Sequence, residues 1–366
     1  MKKIIVKKCE KCGVPLGLHT LPFAKFTWWD NGTYGIKGGK APHYQFFNEV
    51  EDALAVIEGI GEKMGFPVER IFFGTMVQAV LDAFIHMFNW RYSFFLKLGF
   101  VRKKIASDYF CPFAKLDGYG IFEVVNYRPK QGVIVKIRNP FHSDMAVAMV
   151  GAYFKVVEKV PSVEIEKEVV NGAILARVKA SLKEFKFLEY FPYRQPKILP
   201  GNIKYERCSR CGVPLEFSNE FEWDLKKGSI RSKITGKRII PMCRAGFYRV
   251  LDALREEIGE DISQVAMELE KEYRRKQLLS SNLKLKGREK DYMNLLRPFT
   301  WRGMGNPVRV EKQDRVLKVK IENPYNDFLS AGFVGGLYEA IEKREARVQW
   351  TPSFESGYSL VTVKPK

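Results

Sequence analysis

The chain has 366 residues, with 61 lysines and arginines against 42 aspartates and glutamates, a formal net charge of +19, and 46% hydrophobic residues. That apolar content supports a packed core and excludes wholesale disorder, while no uninterrupted apolar run reaches the roughly 18 residues of a membrane span. Only Ile4, Ile5 and Val6 lie between the first lysines, too few for a signal peptide, so a cytoplasmic protein is expected. The basic excess is spread over both halves with no basic tail, and favours nucleic acid, anionic lipid or an acidic protein as partner.

In chain order, the first motif is Cys9-Glu10-Lys11-Cys12-Gly13-Val14-Pro15-Leu16, and it returns as Cys208-Ser209-Arg210-Cys211-Gly212-Val213-Pro214-Leu215. Other matches keep the same order. Trp29-Asp30 with Ile36 returns as Trp223-Asp224 with Ile230, and Asp52-Ala53-Leu54 as Asp252-Ala253-Leu254. Pro112-Phe113 with Gly118-x-Gly120 returns as Pro298-Phe299 with Gly303-x-Gly305. Val135-Lys136-Ile137-x-Asn139-Pro140-Phe141 returns as Val319-Lys320-Ile321-x-Asn323-Pro324-Tyr325. An ordered series of this kind is read as a tandem duplication. It divides the chain into a first repeat (1–181), a Pro-rich linker (182–202) and a second repeat (203–366).

Each repeat has the same expected elements. A Cys-x-x-Cys turn leads to a Trp-containing hairpin, a helix from near Asn48 or Phe247, and a second helical stretch at 68–98 or 262–279. A Gly-x-Gly turn then precedes paired strands, at 121–127 with 132–138 and 307–311 with 315–321. Helices follow at 144–159 and 327–343, and closing strand pairs at 162–168 with 172–178 and 346–350 with 357–363. Val133, Val135 and Ile137 alternate onto one face, as do Leu317, Val319 and Ile321. Helices and antiparallel strands in separate runs give an α+β fold class: two tandem copies of a mixed unit, packed as a pseudo-dimer within one chain.

From Gly118 to Lys179, and again from Gly303 to Lys364, the chain resembles the small-molecule-binding domain of the 4-vinyl reductase type. The features are the Gly-x-Gly turn, the strand ending in Asn-Pro, the Gly-containing helix and a closing hairpin whose first strand carries Glu164, Glu166 and Glu168. The resemblance implies a sensor or accessory domain for a hydrophobic ligand, often dimeric, with related folds in haem-dependent nitric oxide sensors and vesicle-tethering subunits. Many members bind zinc through cysteines in and before that hairpin. Here no cysteine lies between 112 and 207 or after 243, so that site does not transfer.

Four of the six cysteines form the two Cys-x-x-Cys pairs, which have the spacing of a zinc knuckle. Aligning the Asp-Ala-Leu anchors sets His43 opposite Cys243, which suggests the ligand sets Cys9, Cys12, His43 and Cys208, Cys211, Cys243, with the fourth donor open. Alternatively the two pairs share one four-cysteine site. The stretch 71–100 is crowded with aromatic residues, and Phe72, Phe73, Met76, Phe84, His86 and Phe88 are candidates for the wall of an apolar ligand pocket. The matching stretch of the second repeat is charged, and its region 274–290 (Arg274, Arg275, Lys276, Lys284, Lys286, Arg288, Lys290) is a candidate docking surface for an acidic protein or nucleic acid. There is no catalytic triad motif, phosphate-binding loop or dinucleotide fingerprint. The expected function is a non-catalytic, zinc-containing protein that senses, carries or handles a hydrophobic small molecule. The alternatives are a nucleic-acid-associated zinc protein and an accessory reductase acting on a vinyl or tetrapyrrole substrate.

Overall fold

A computed structural model describes residues 4, 6–18, 25–37, 42–65, 73–74, 76–77, 79–80, 99–182, 195–248, 251, 254, 262–281 and 285–366. The architecture is mixed α+β with three antiparallel sheets. Among the described residues no helix is long and apolar enough to cross a membrane.

In the first half, β1 (Lys25–Trp28) and β2 (Tyr34–Lys37) form a hairpin, and β3 (His43–Glu49) pairs with β2 before running into α1 (Val50–Met64). Gly65 ends α1 in the left-handed region, at φ 64°. After α2 (Gly99–Ile105), a π-helical turn (Ala106–Phe110) and α3 (Cys111–Leu116) come β4 (Ile121–Arg128), β5 (Gly132–Arg138), α4 (Ser143–Glu158), β6 (Ser162–Val170) and β7 (Ala173–Ser181). Their sheet has the order β4-β5-β7-β6.

The second half begins with α5 (Leu215–Glu220), β8 (Phe221–Asp224), β9 (Ser229–Ser232) and β10 (Arg238–Cys243). Next are α6 (Ile262–Leu279), α7 (Glu289–Leu296) and α8 (Pro298–Arg302). Last come β11 (Asn306–Gln313), β12 (Val316–Glu322), α9 (Asp327–Glu342), β13 (Ala346–Trp350) and β14 (Tyr358–Pro365), in the order β11-β12-β14-β13.

The alternating strands bury the residues their pattern selects. Val133, Val135 and Ile137 are buried, as are Leu317, Val319 and Ile321. Side chains start the helices that follow: His142 accepts the Met145 N–H and Asn326 accepts the Leu329 N–H. The three glutamates of β6 are solvent-facing, where Glu168 pairs with Arg177 and Glu166 with Lys179.

The third sheet joins the two halves. Its order is β1-β2-β3-β10-β9-β8, so its centre is the antiparallel pair β3–β10, from Gln45–Cys243 to Glu49–Ile239. Each hairpin then reaches the Gly-x-Gly turn of the other half. Trp28 Nε1 donates to Trp301 O and Trp223 Nε1 to Leu116 O, both at 2.9 Å. Asn323 Nδ2 donates to Asn31 O at 3.1 Å, and Asn139 Nδ2 to Lys227 O at 2.8 Å. Trp28, rather than Trp29, thus does for the first hairpin what Trp223 does for the second.

The crossing requires glycine. At Gly228 (φ 60°) an added Cβ would lie 2.5 Å from Gly120 O, whereas at Gly65 it would meet open space. Gly65→Ala should therefore cost only the left-handed strain, about 1 kcal/mol. Gly228→Ala should cost clearly more, because backbone must also move; equilibrium denaturation of the two variants checks the order.

Candidate metal centre

Residues 7–16 and 206–215 fold into matching turns. Cys9 N–H donates to Val14 O, Gly13 N–H to Cys9 O and Leu16 N–H to Lys7 O, each at 2.8 Å. Cys208 to Val213, Gly212 to Cys208 and Leu215 to Glu206 repeat these bonds at the same 2.8 Å. Gly13 (φ 76°) and Gly212 (φ 75°) supply the left-handed residue that turns the chain back after the second cysteine. The two thiols of each motif consequently face the same way, and the two turns face each other.

The four sulfur atoms of Cys9, Cys12, Cys208 and Cys211 lie within 4.8 Å of one another. Across the two motifs, Cys9 Sγ is 3.9 Å from Cys208 Sγ and Cys12 Sγ 3.3 Å from Cys211 Sγ. Tetrahedral coordination with metal–sulfur bonds of about 2.3 Å puts ligand sulfurs about 3.8 Å apart. The spacing therefore fits one ion held by four thiols, two from each half. Cys9 and Cys208 are buried, and Cys12 and Cys211 sit at the rim.

Electrostatics distinguish the four. Burial opposes the Cys208 thiolate, but the backbone N–H groups of Cys211 and Arg210 and the neighbouring thiols outweigh it and hold the group down at about 6. Burial pushes Cys12 and Cys211 up. Lysine and arginine side chains of the two turns make their own bonds beside the motifs. Lys11 Nζ donates to Ser209 Oγ at 2.9 Å, Arg210 pairs with Glu10, and Arg207 donates to Gly212 O at 2.9 Å and Trp28 O at 3.0 Å. These contacts also tie one turn to the other. Four thiolates around a divalent ion leave no open position, which is the arrangement of a structural rather than a catalytic centre.

His43 and Cys243 lie elsewhere. His43 is buried at the start of β3 with Nε2 3.2 Å from Gln45 Nε2, and Cys243 Sγ accepts the Gly246 N–H at 3.2 Å. The sheet register also changes the alignment that paired them. Gln45 faces Cys243 and Ile239 faces Glu49, while Tyr34 and Ile230 pair with Gln45 and Ile239 respectively. Cys243 therefore occupies the place of Glu49, each being the last strand residue before a helix. The sixth cysteine, Cys111, is buried in the first half and its thiol is pushed up to about 12 by desolvation.

Of the aromatic candidates, Phe72, Phe84, His86 and Phe88 lie outside the described residues. Phe73 and Met76 are half-buried against the core, and the Phe73 ring approaches Gly151 of α4.

The charged helix is not a uniform solvent face. α6 packs against α1 and α9, and its Arg274 is buried, bonded to Asp52, Glu270 (2.7 Å) and Asn48 (3.3 Å). Lys271 is buried too, 3.2 Å from Glu339. Glycines make the fit possible, since a Cβ at Gly336 of α9 would lie 2.5 Å from Lys271 O. Lys276 of α6, with Lys286, Arg288 and Lys290 beyond it, remains exposed, while Arg275 is half-buried with Nε 3.7 Å from Glu339; Lys284 lies outside the described residues.

No family model matches the chain, and no curated protein matches it. Among solved structures it is similar to a Cs H-NOX mutant with the unnatural amino acid 4-cyano-L-phenylalanine at site 5. The identity is 12%, over 39% of this chain and 80% of that chain, with a TM-score of 0.25. A likeness at that score decides neither fold nor function. The reading of the site accordingly rests on its own geometry: four thiols, two from each motif, in a closed donor set.

Proposed function

We propose that the chain is a duplicated, non-catalytic binding protein in which one zinc ion staples the two halves, and that it senses, carries or handles a hydrophobic small molecule. The observation that carries the reading is the four-thiol cluster drawn equally from the two motifs. An all-sulfur tetrahedral set is the preferred environment of zinc among the common divalent ions, and a closed set stabilises rather than catalyses.

The ligand part of the reading rests on the sequence. The aromatic-rich 71–100 stretch supplies apolar area of the kind a hydrophobic ligand needs, and near its start Phe73 and Met76 pack on the core. The resemblance to 4-vinyl reductase-type domains points the same way. Native mass spectrometry of protein purified from its own host tests both parts together. One zinc and one small apolar molecule per chain are expected, and a chain carrying neither overturns the proposal.

A further inference from the structure

Directly after β10, a buried arginine makes no ion pair among the described residues. This is Arg244, which is 2% exposed. Its Nε and Nη2 are buried without a hydrogen-bond partner. A guanidinium never gives up its charge at ordinary pH, and leaving it buried and unpaired is strongly destabilising.

Its surroundings come from four parts of the chain. Tyr44 of β3 and Asp327, the first residue of α9, both lie within the field of its charge. The linker runs over this junction: Lys197 N–H donates to Phe354 O at 3.0 Å, and Leu199 N–H to Asn323 Oδ1 at 2.7 Å. Asp327 forms no ion pair with it: its Oδ2 accepts the Ser353 N–H at 2.9 Å, its Oδ1 is buried without a hydrogen-bond partner, and burial raises its pKa, which favours the neutral carboxyl. Beside it, the helix-capping Asn326 has a buried Nδ2 that also finds no acceptor. The junction thus holds unpaired buried donors next to the N-terminal end of a sixteen-residue helix, which itself favours negative charge.

We propose that Arg244 is the recognition group of a buried anion site at the junction of β10, β3, the linker and the start of α9, and that the site takes the carboxylate or phosphate of a small molecule. The planar fork formed by Nε–H and Nη2–H matches two oxygens of either group, as a single water cannot. Arg244 is no part of the four-thiol cluster, so the failure of this site would leave the proposed function untouched.

The test uses the full metal-loaded chain. Its thermal midpoint is followed while inorganic phosphate or succinate is titrated in, against sodium chloride at equal ionic strength. A saturable rise with phosphate identifies a phosphate site, and one with succinate a carboxylate site. Arg244→Met should weaken the response about tenfold or more, the loss expected for hydrogen bonds to a charged group. Asp327→Asn should keep or strengthen it by removing a competing negative charge. If Arg244→Met fails to fold, Arg244→Lys, which keeps the charge and loses the fork, must bind more weakly than wild type. No saturable rise above the chloride control, or an equal rise in the Arg244 variants, overturns the proposal. So does loss of the response in Asp327→Asn, which would make the two residues each other's partners.

Discussion

Replacing any one of Cys9, Cys12, Cys208 or Cys211 by alanine is expected to empty the whole metal centre. The four thiols belong to one cluster, so elemental analysis of anaerobically purified protein should show one zinc per chain falling towards none. Two independent sites would instead fall from two to one. His43→Ala and Cys243→Ala should leave the metal content unchanged, since neither side chain is in the cluster. Stability should fall along with the metal. Structural zinc contributes roughly 10–16 kcal/mol of apparent free energy in zinc-finger peptides. In a chain with a large core of its own only part of that becomes folding free energy, so a loss of several kcal/mol is expected. A variant lacking Cys9 that keeps a full equivalent of zinc through Cys208 and Cys211 would refute the shared centre.

Arg274→Met should be the most damaging single change outside the metal centre. Arg274 is the cation between Asp52 and Glu270, both buried, and its field also reaches Glu49. Removing one partner of a buried ionic group typically costs 3–5 kcal/mol, because the remaining charges stay desolvated. Denaturant unfolding would measure the loss, and a change under about 1 kcal/mol would show that the network contributes little.

The network also makes stability depend on pH in two senses. Burial opposes the Glu49 carboxylate, but Arg274, Arg302 and bonds from Tyr273 and Thr235 hold its pKa below the ordinary value. Its contribution is present above the unfolded pKa, near 4.5, and is lost as pH falls through the lower folded value. Glu270 behaves oppositely. Burial and the Asp52 charge raise its pKa well above the ordinary value, so its contribution is complete below the unfolded pKa and is lost as pH rises. Glu270→Gln, which mimics the protonated form, should therefore gain stability relative to wild type as pH increases. A constant difference between the two across pH would remove Glu270 as the titrating group.

Much of the local structure was legible because its signals are local. Period-two alternation in Val133-x-Val135-x-Ile137 and the Asn-Pro turns placed the strands of the second sheet of each half to within three residues. The Cys-x-x-Cys-Gly pattern likewise specified its turn. Which thiols meet was not legible, because spacing within a motif says nothing about the distance between motifs 199 positions apart. The choice between two mixed sites and one four-cysteine site needed the β3–β10 pairing, whose register puts Cys243 level with Gln45. The burial of Arg274 was hidden for a related reason. Arg274 reads as part of a charged docking surface until Asn48, Asp52 and the glycines of α9 are brought against its helix.

The central sheet has a consequence for how the protein is made. β3 is an interior strand only after β10 has joined it, and β10 follows it by nearly two hundred residues. At roughly 5–20 residues per second of synthesis, the edge carrying Phe46 and Phe47 waits on the order of ten to forty seconds for its partner. During that interval it is an open strand edge beside two aromatic side chains, the kind of surface that pairs with another nascent copy. Ribosomes closely spaced on one message would bring such copies together, and the β3 of one chain could then be captured by the β10 of another. Slow or crowded translation should therefore favour strand-exchanged oligomers, and holding nascent chains apart should favour the monomer.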